Sequence, residues 1–203
     1  MADRVIPAPA TGGHQVKKQF YPNACGAVCL LCAALETGHT RYSAIAKCPA
    51  RDLQNDFGSE NALYYITSGA AAAGKDAGSL AAEGYSMPSM VIEAARHIGF
   101  QNATVYIRTT LSSAILKAAY ASEVKACKAM ANVNVVEGSA AKFSKRASLG
   151  LNEYKLVVVE PFIVCLHYVL HRPDGSYMDP ATGSDIASMP ASYNRTGLSI
   201  VLS

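Results

Sequence analysis

The chain has 203 residues, of which 50% are hydrophobic and 16% charged, with a formal net charge of +3. That length suits one domain with a substantial core. The small positive excess forms no basic stripe, so nucleic acid is not an expected partner. No stretch approaches the roughly eighteen apolar residues of a spanning helix, so no membrane partner is expected either.

Residues 1–15 carry Pro, Gly and Thr without an apolar signal region and read as a flexible arm, leaving residues 16–203 as a single domain. Asn23 is the expected cap of a helix over Ala24 to Thr37, with Gly38 at its end. Tyr42 to Ser68 has short helical signals broken by Pro49 and Gly58. Gly69 to Gly84 is rich in Ala and Gly and reads as a mobile loop or a small-residue packing segment. Pro88 to Ile98 predicts a helix with Pro in its first turn and Gly99 at its end. Thr104 to Arg108 alternates as a strand does, and Leu111 to Ala131 has helical composition.

The character then changes. Lys155 to Glu160, Phe162 to His171 and Ser176 to Met178 are rich in Val, Ile, Leu and Tyr and are separated by turn residues. Helices first and strands later predict an α+β fold, with an N-terminal helical part packed on a C-terminal antiparallel sheet.

Six cysteines are present: Cys25, Cys29, Cys32, Cys48, Cys127 and Cys165. Three share one short segment and no signal peptide is read, so a reducing cytosol in the producing cell is expected rather than a disulfide framework. Cys25 stands at the head of the first helical run. There the partial positive charge of the helix N-terminus favours thiolate over thiol, as a nucleophile requires. Gln19, six residues earlier, can bring an amide N–H near the same point as an oxyanion donor. Cys29 and Cys32 recur at i+4 and i+7 on the same helix, which is the pattern of a core face.

The second informative stretch runs from His167 to Pro180. Arg172-Pro173-Asp174-Gly175 favours a three-residue hairpin with a type I turn and a bulged glycine. That register pairs Arg172 with Ser176 and Val169 with Asp179, placing Asp179 on the face of His167 and His171. Diagonal neighbours of this kind lie about 7–8 Å apart at Cα, within reach of a carboxylate and an imidazole. An acid that orients a histidine is what the general base of a thiol nucleophile needs. The register leaves His167 and His171 equivalent, and a two-residue Asp174-Gly175 turn would put Asp179 on the other face.

Gln19 with Cys25-Gly26-Ala27, His167-Tyr168-Val169-Leu170 and Met178-Asp179-Pro180-Ala181-Thr182-Gly183 together resemble the papain-like cysteine peptidases. The branch most similar is the one that removes double-glycine leaders from bacteriocins and peptide pheromones. The resemblance implies a papain-like fold with Cys25 as nucleophile, His167 as general base, Asp179 as its orienting acid and Gln19 at the oxyanion. It selects His167 over His171. The reaction it implies is hydrolysis of a peptide or protein substrate, with no cofactor and no metal.

A stand-alone domain of this kind also suits a toxin or effector exported by a specialised secretion system, with a proteinaceous inhibitor or immunity protein as partner. Three alternatives have different chemistry. The same residues can serve a deamidase or other amidohydrolase, or an acyltransferase. The spacing Cys25-x3-Cys29-x2-Cys32 is also that of the iron–sulfur cluster ligands of radical enzymes. A binding module on a decayed peptidase fold would be expected to have lost one of the four site residues.

Overall fold

The computed structural model describes residues 13–44, 49–75, 80–81, 83–108, 121–138, 149–162 and 165–203. Most of the expected arm, the first half of the Leu111 to Ala131 segment, Cys48 and part of Gly69 to Gly84 lie outside the described residues. The architecture is mixed α and β, with the helices packed on a large, mostly antiparallel sheet.

Helix α1 (Cys25–Glu36) has the sequence CGAVCLLCAALE and is buried from Cys25 to Ala34. A helix apolar on every side belongs in the middle of a core. It packs against α2 (Phe57–Thr67), α3 (Pro88–Ile98) and the sheet. Its N-terminus departs from expectation. Ala24 precedes the first turn and no side chain caps it, while Asn23 Nδ2 donates to Glu83 O at 2.9 Å. Gly58, expected as a break, lies inside the first turn of α2, which Asp56 caps by accepting from Ser59 N at 2.7 Å. α3 begins and ends where Pro88 and Gly99 predict. α4 (Ala121–Ala129) is the described part of the later helical segment.

Two short strands, β1 (Arg41–Tyr42) and β2 (Arg51–Asp52), pair with each other. The main sheet among the described residues has seven strands: β3 (Ala103–Arg108), β4 (Val133–Gly138), β5 (Tyr154–Phe162), β6 (Cys165–His171), β7 (Tyr177–Asp179), β8 (Ser184–Ile186) and β9 (Asn194–Leu202). Their order is β4-β3-β9-β5-β6-β7-β8. The expectation of a purely antiparallel C-terminal sheet needs correction at one edge. There β3 and β4 come from the middle of the chain and run parallel.

One face of the sheet supplies Leu156, Val158, Tyr168, Leu170, Met178 and Ile200 to the main core around α1. Val157, Val159, Val169 and Tyr177 form a smaller cluster, capped by Ile186, Met189 and Tyr193. Alternation along β5 and β6 puts the two sets on opposite faces. Among the described residues no helix is long and apolar enough to cross a membrane.

Candidate active site

Cys25 is the first residue of α1 and is 1% exposed. The first N–H groups of a helix have no partner within it, and they converge with the helix dipole on this end. Gly26 lets the helix end approach its neighbours. A Cβ there would lie 2.5 Å from Ser86 Cβ and 3.2 Å from the Tyr168 ring. Any larger residue would push Cys25 away from β6.

The hairpin register is the one that Pro173-Asp174-Gly175 predicts. Arg172 N donates to Ser176 O at 3.0 Å, Gly175 N to Arg172 O at 3.0 Å, and His171 and Leu170 pair with Tyr177 and Met178. Across this hairpin His167 Nε2 and Asp179 Oδ1 are 2.8 Å apart, both groups buried. Cys25 stands close enough to His167 to act on the imidazole electrostatically. With Nε2 on the carboxylate, Nδ1 is the nitrogen left for the thiol. Asp179 also receives Ala181 N on Oδ1 at 2.9 Å and the Tyr193 hydroxyl on Oδ2 at 2.7 Å. Burial opposes its ionisation, but these donors outweigh it and hold the carboxyl below the usual aspartate range.

Burial also works against a charged His167. The Asp179 and Cys25 partners overcome it and raise the imidazole from 6.5 to about 9. A group raised on folding stabilises fully below its unfolded value and loses that contribution as pH rises through its folded one. The contribution of His167 is therefore complete below about pH 6.5 and fades through about pH 9. The melting temperature is expected to drop between pH 7 and 10, and the drop to flatten in His167→Gln. Parallel curves for the two proteins would refute this.

His171, the other histidine on the hairpin, stacks on Tyr177 with centroids 4.4 Å apart and 12° between planes. Burial, with Lys155 and Arg195 nearby, pushes it down to about 4. Cys29 and Cys32 lie in the core, and burial raises both thiols well above their ordinary value. Burial likewise raises Cys127 to about 11. The cluster-like spacing of Cys25, Cys29 and Cys32 thus follows one continuous helix with its last two thiols in apolar packing. Tyr64 and Tyr65 are both core residues, with hydroxyls donating to Glu83 and Gly84 carbonyls and to Lys75 O respectively.

Gln19 lies on the strap that leads into α1. Its Nε2 donates to Tyr21 O at 2.9 Å and to Pro22 O at 2.6 Å, and its Oε1 is buried without a partner among the described residues. Two contacts hold the strap. Glu60, fully buried on α2, accepts from Phe20 N at 2.6 Å and Tyr21 N at 3.3 Å and pairs with Lys17 at 2.9 Å. On the other side Gln19 N donates to Pro180 O at 2.8 Å, joining the strap to the loop after Asp179.

Gly183 closes that loop at φ +70, where a Cβ would lie 2.6 Å from Lys18 N. Gly183→Ala is therefore expected to cost about 1–3 kcal/mol for the left-handed backbone alone and to separate the strap from the loop. A lower melting temperature with slower Cys25 alkylation would show it, and an unchanged protein would contradict it. Glu60 and Tyr193 escaped sequence reasoning, and Gly183 entered it only as the end of the Asp179 motif, with no role. Only Gly183 has a local signal, the Asp-Pro-x-x-Gly pattern of a tight loop.

A family model described as "Invasion plasmid antigen J, cysteine protease" matches residues 17–203, a span that includes Gln19, Cys25, His167 and Asp179. The chain belongs to this family of cysteine proteases. Within that assignment, the Cysteine protease IpaJ of Shigella flexneri is 33% identical over 215 residues, covering 94% of this chain and 79% of the relative. No solved structure matches the chain. The narrower resemblance to leader-processing peptidases rests on the motifs quoted above.

Proposed function

We propose that this family member hydrolyses peptide bonds of a protein substrate through a Cys25–His167–Asp179 triad on a papain-like framework. The observation that carries the reading is the buried chain of contacts from Cys25 through His167 to Asp179, starting at a helix N-terminus. The Cys25 sulfur attacks the scissile carbonyl carbon, and its electron pair forms the C–S bond. The imidazolium of His167 gives its proton to the amine as the C–N bond breaks. Neutral His167 then takes a proton from water. The resulting attack on the thioester releases the acid and returns the proton to the Cys25–His167 pair. Asp179 keeps the ring in one tautomer and orientation.

The oxyanion is met by the Cys25 backbone N–H and by the Gln19 amide. The amide would leave the Tyr21 and Pro22 carbonyls when substrate enters. The family description and the Shigella flexneri relative support a role as a secreted effector acting on proteins of a target cell. If the producing cell contains the substrate, a proteinaceous inhibitor there follows.

The test is to incubate purified protein with bacterial and animal cell lysates and to label newly formed α-amines for mass spectrometry. A small set of new N-termini is expected, absent with Cys25→Ala and with His167→Ala. Identical termini in all three samples, or one-dalton gains at glutamine without new termini, would overturn the peptidase reading.

A further inference from the structure

Asp179 has two oxygens with different duties. Oδ1 takes His167 Nε2 at 2.8 Å and Ala181 N at 2.9 Å, while Oδ2 takes the Tyr193 hydroxyl at 2.7 Å. The residue is 3% exposed, and a buried carboxylate oxygen stripped of its donor is left without compensation for the water it lost. A carboxylate with different donors on its two oxygens has one preferred orientation, and that orientation aims Oδ1 at the histidine.

Tyr193 itself is pinned. Its N–H donates to Pro190 O at 2.9 Å in the turn before β9, and its ring packs on the cluster of Val157, Val159, Val169 and Tyr177. The same ring meets the imidazole of His167, with centroids 6.0 Å apart and planes at 80°. It thus touches the acid through its hydroxyl and the base through its ring. Burial and the Asp179 charge push the phenol up to about 12, so it remains a donor throughout the working range.

We propose that Tyr193 is a positioning residue for the reaction. Its hydroxyl locks Asp179 in the orientation that receives His167, and its ring holds the imidazole plane so that the other nitrogen faces Cys25. The inference rests on the triad reading above and deepens it. Neither the Asp-Pro motif nor the histidine stretch announces this residue, because it reaches the site through the fold rather than through local spacing.

The test is a double-mutant cycle on the rate at which iodoacetamide alkylates Cys25 at pH 6, with the modified residue mapped by mass spectrometry. This probe needs no knowledge of the substrate. Tyr193→Phe keeps the ring and removes only the hydroxyl, so the fold is retained, as melting curves on each variant will report. Tyr193→Phe is expected to slow alkylation roughly tenfold in the wild-type background, within the range by which contacting residues couple. In an Asp179→Ala background it is expected to add nothing, since the hydroxyl then has no carboxylate to hold.

A second readout follows the pH. Asp179 loses one of the donors that keep it ionised, so the acid limb of the alkylation profile moves to higher pH in Tyr193→Phe. An unchanged rate in Tyr193→Phe, an acid limb that does not move, or a loss that persists undiminished on Asp179→Ala would overturn the inference. The two readings fail differently. If Asp179→Ala and His167→Ala both leave Cys25 as reactive as before, the triad itself falls. If they slow it and Tyr193→Phe does not, only the role of Tyr193 falls.

Discussion

Replacing His167 with alanine is expected to slow alkylation of Cys25 at pH 6 by roughly 100-fold, and Cys25→Ala to remove at least about 10⁴-fold of peptide hydrolysis. The effect originates at the thiol. An ordinary solvent-exposed cysteine is only about 0.3% ionised at pH 6, and iodoacetamide reacts with the ionised form. Beside Cys25 stands an imidazole that keeps its proton up to about pH 9, at the end of a helix whose dipole also favours an anion. Removing the imidazole removes the nearby cation and the proton donor together. Because nucleophile and base act as a unit, the double variant is expected to be no worse than Cys25→Ala alone. The internal controls are Cys29 and Cys32, deeper along α1, whose thiols are held protonated far above pH 6 and should stay unlabelled in the folded protein. Slow, even labelling of every cysteine at pH 6, indifferent to His167, would sink the proposed pair.

The second large effect is on stability, at the other end of the same helix. Arg172 is 1% exposed, and its Nε lies 2.9 Å from both oxygens of Glu36, itself fully buried at the end of α1. The remaining guanidinium nitrogens reach Asp185 on β8 at 2.8 Å and Gln15 O at 2.9 Å. Arg172→Met would leave the Glu36 carboxylate buried without its cation, a loss of about 3–5 kcal/mol. For a domain of this size that lowers the melting temperature by roughly 6–20 °C. Adding Glu36→Gln should recover much of it, because the stranded charge is gone and the two changes are coupled.

A functional consequence follows from the connectivity. Arg172 begins the β6–β7 turn that sets the register of His167 against Asp179, and Glu36 ends the helix that begins with Cys25. Slackening this pair should slow Cys25 alkylation even at temperatures where the protein stays folded. A melting temperature within a degree or two of wild type would contradict the account.

Some of this was readable from neighbouring residues alone. The hairpin register followed from Pro173-Asp174-Gly175, because turn chemistry is a matter of a few adjacent backbone angles. The bounds of α3 followed from Pro88 and Gly99 for the same kind of reason. The apolar run of α1 announced a buried helix with Cys25 at its head.

Other features depended on partners distant in the chain. Asn23 has the right chemistry for a cap, yet its amide is drawn to Glu83 O and the helix starts without it. β9 was not recognised as a central strand. Gly197, at φ +85, and the register shift opposite Val157 to Val159 interrupt its alternation. The parallel pairing of β3 with β4 joins segments that carry no mark of each other.

The amino-acid order by itself determined the chemical types and their local placement: a thiol at a helix start, a histidine and an acid on one hairpin, and a glutamine just upstream. Local backbone preference and strand alternation act over a few residues, so spacing suffices to specify them. The tertiary structure decided which histidine meets Asp179, where the Gln19 amide rests, and that Glu60, Gly183, Tyr193 and the Arg172–Glu36 pair hold the parts in place. Those are contacts between residues far apart in sequence, and only the packing of α1 between its neighbouring helices and the sheet brings them within hydrogen-bonding distance.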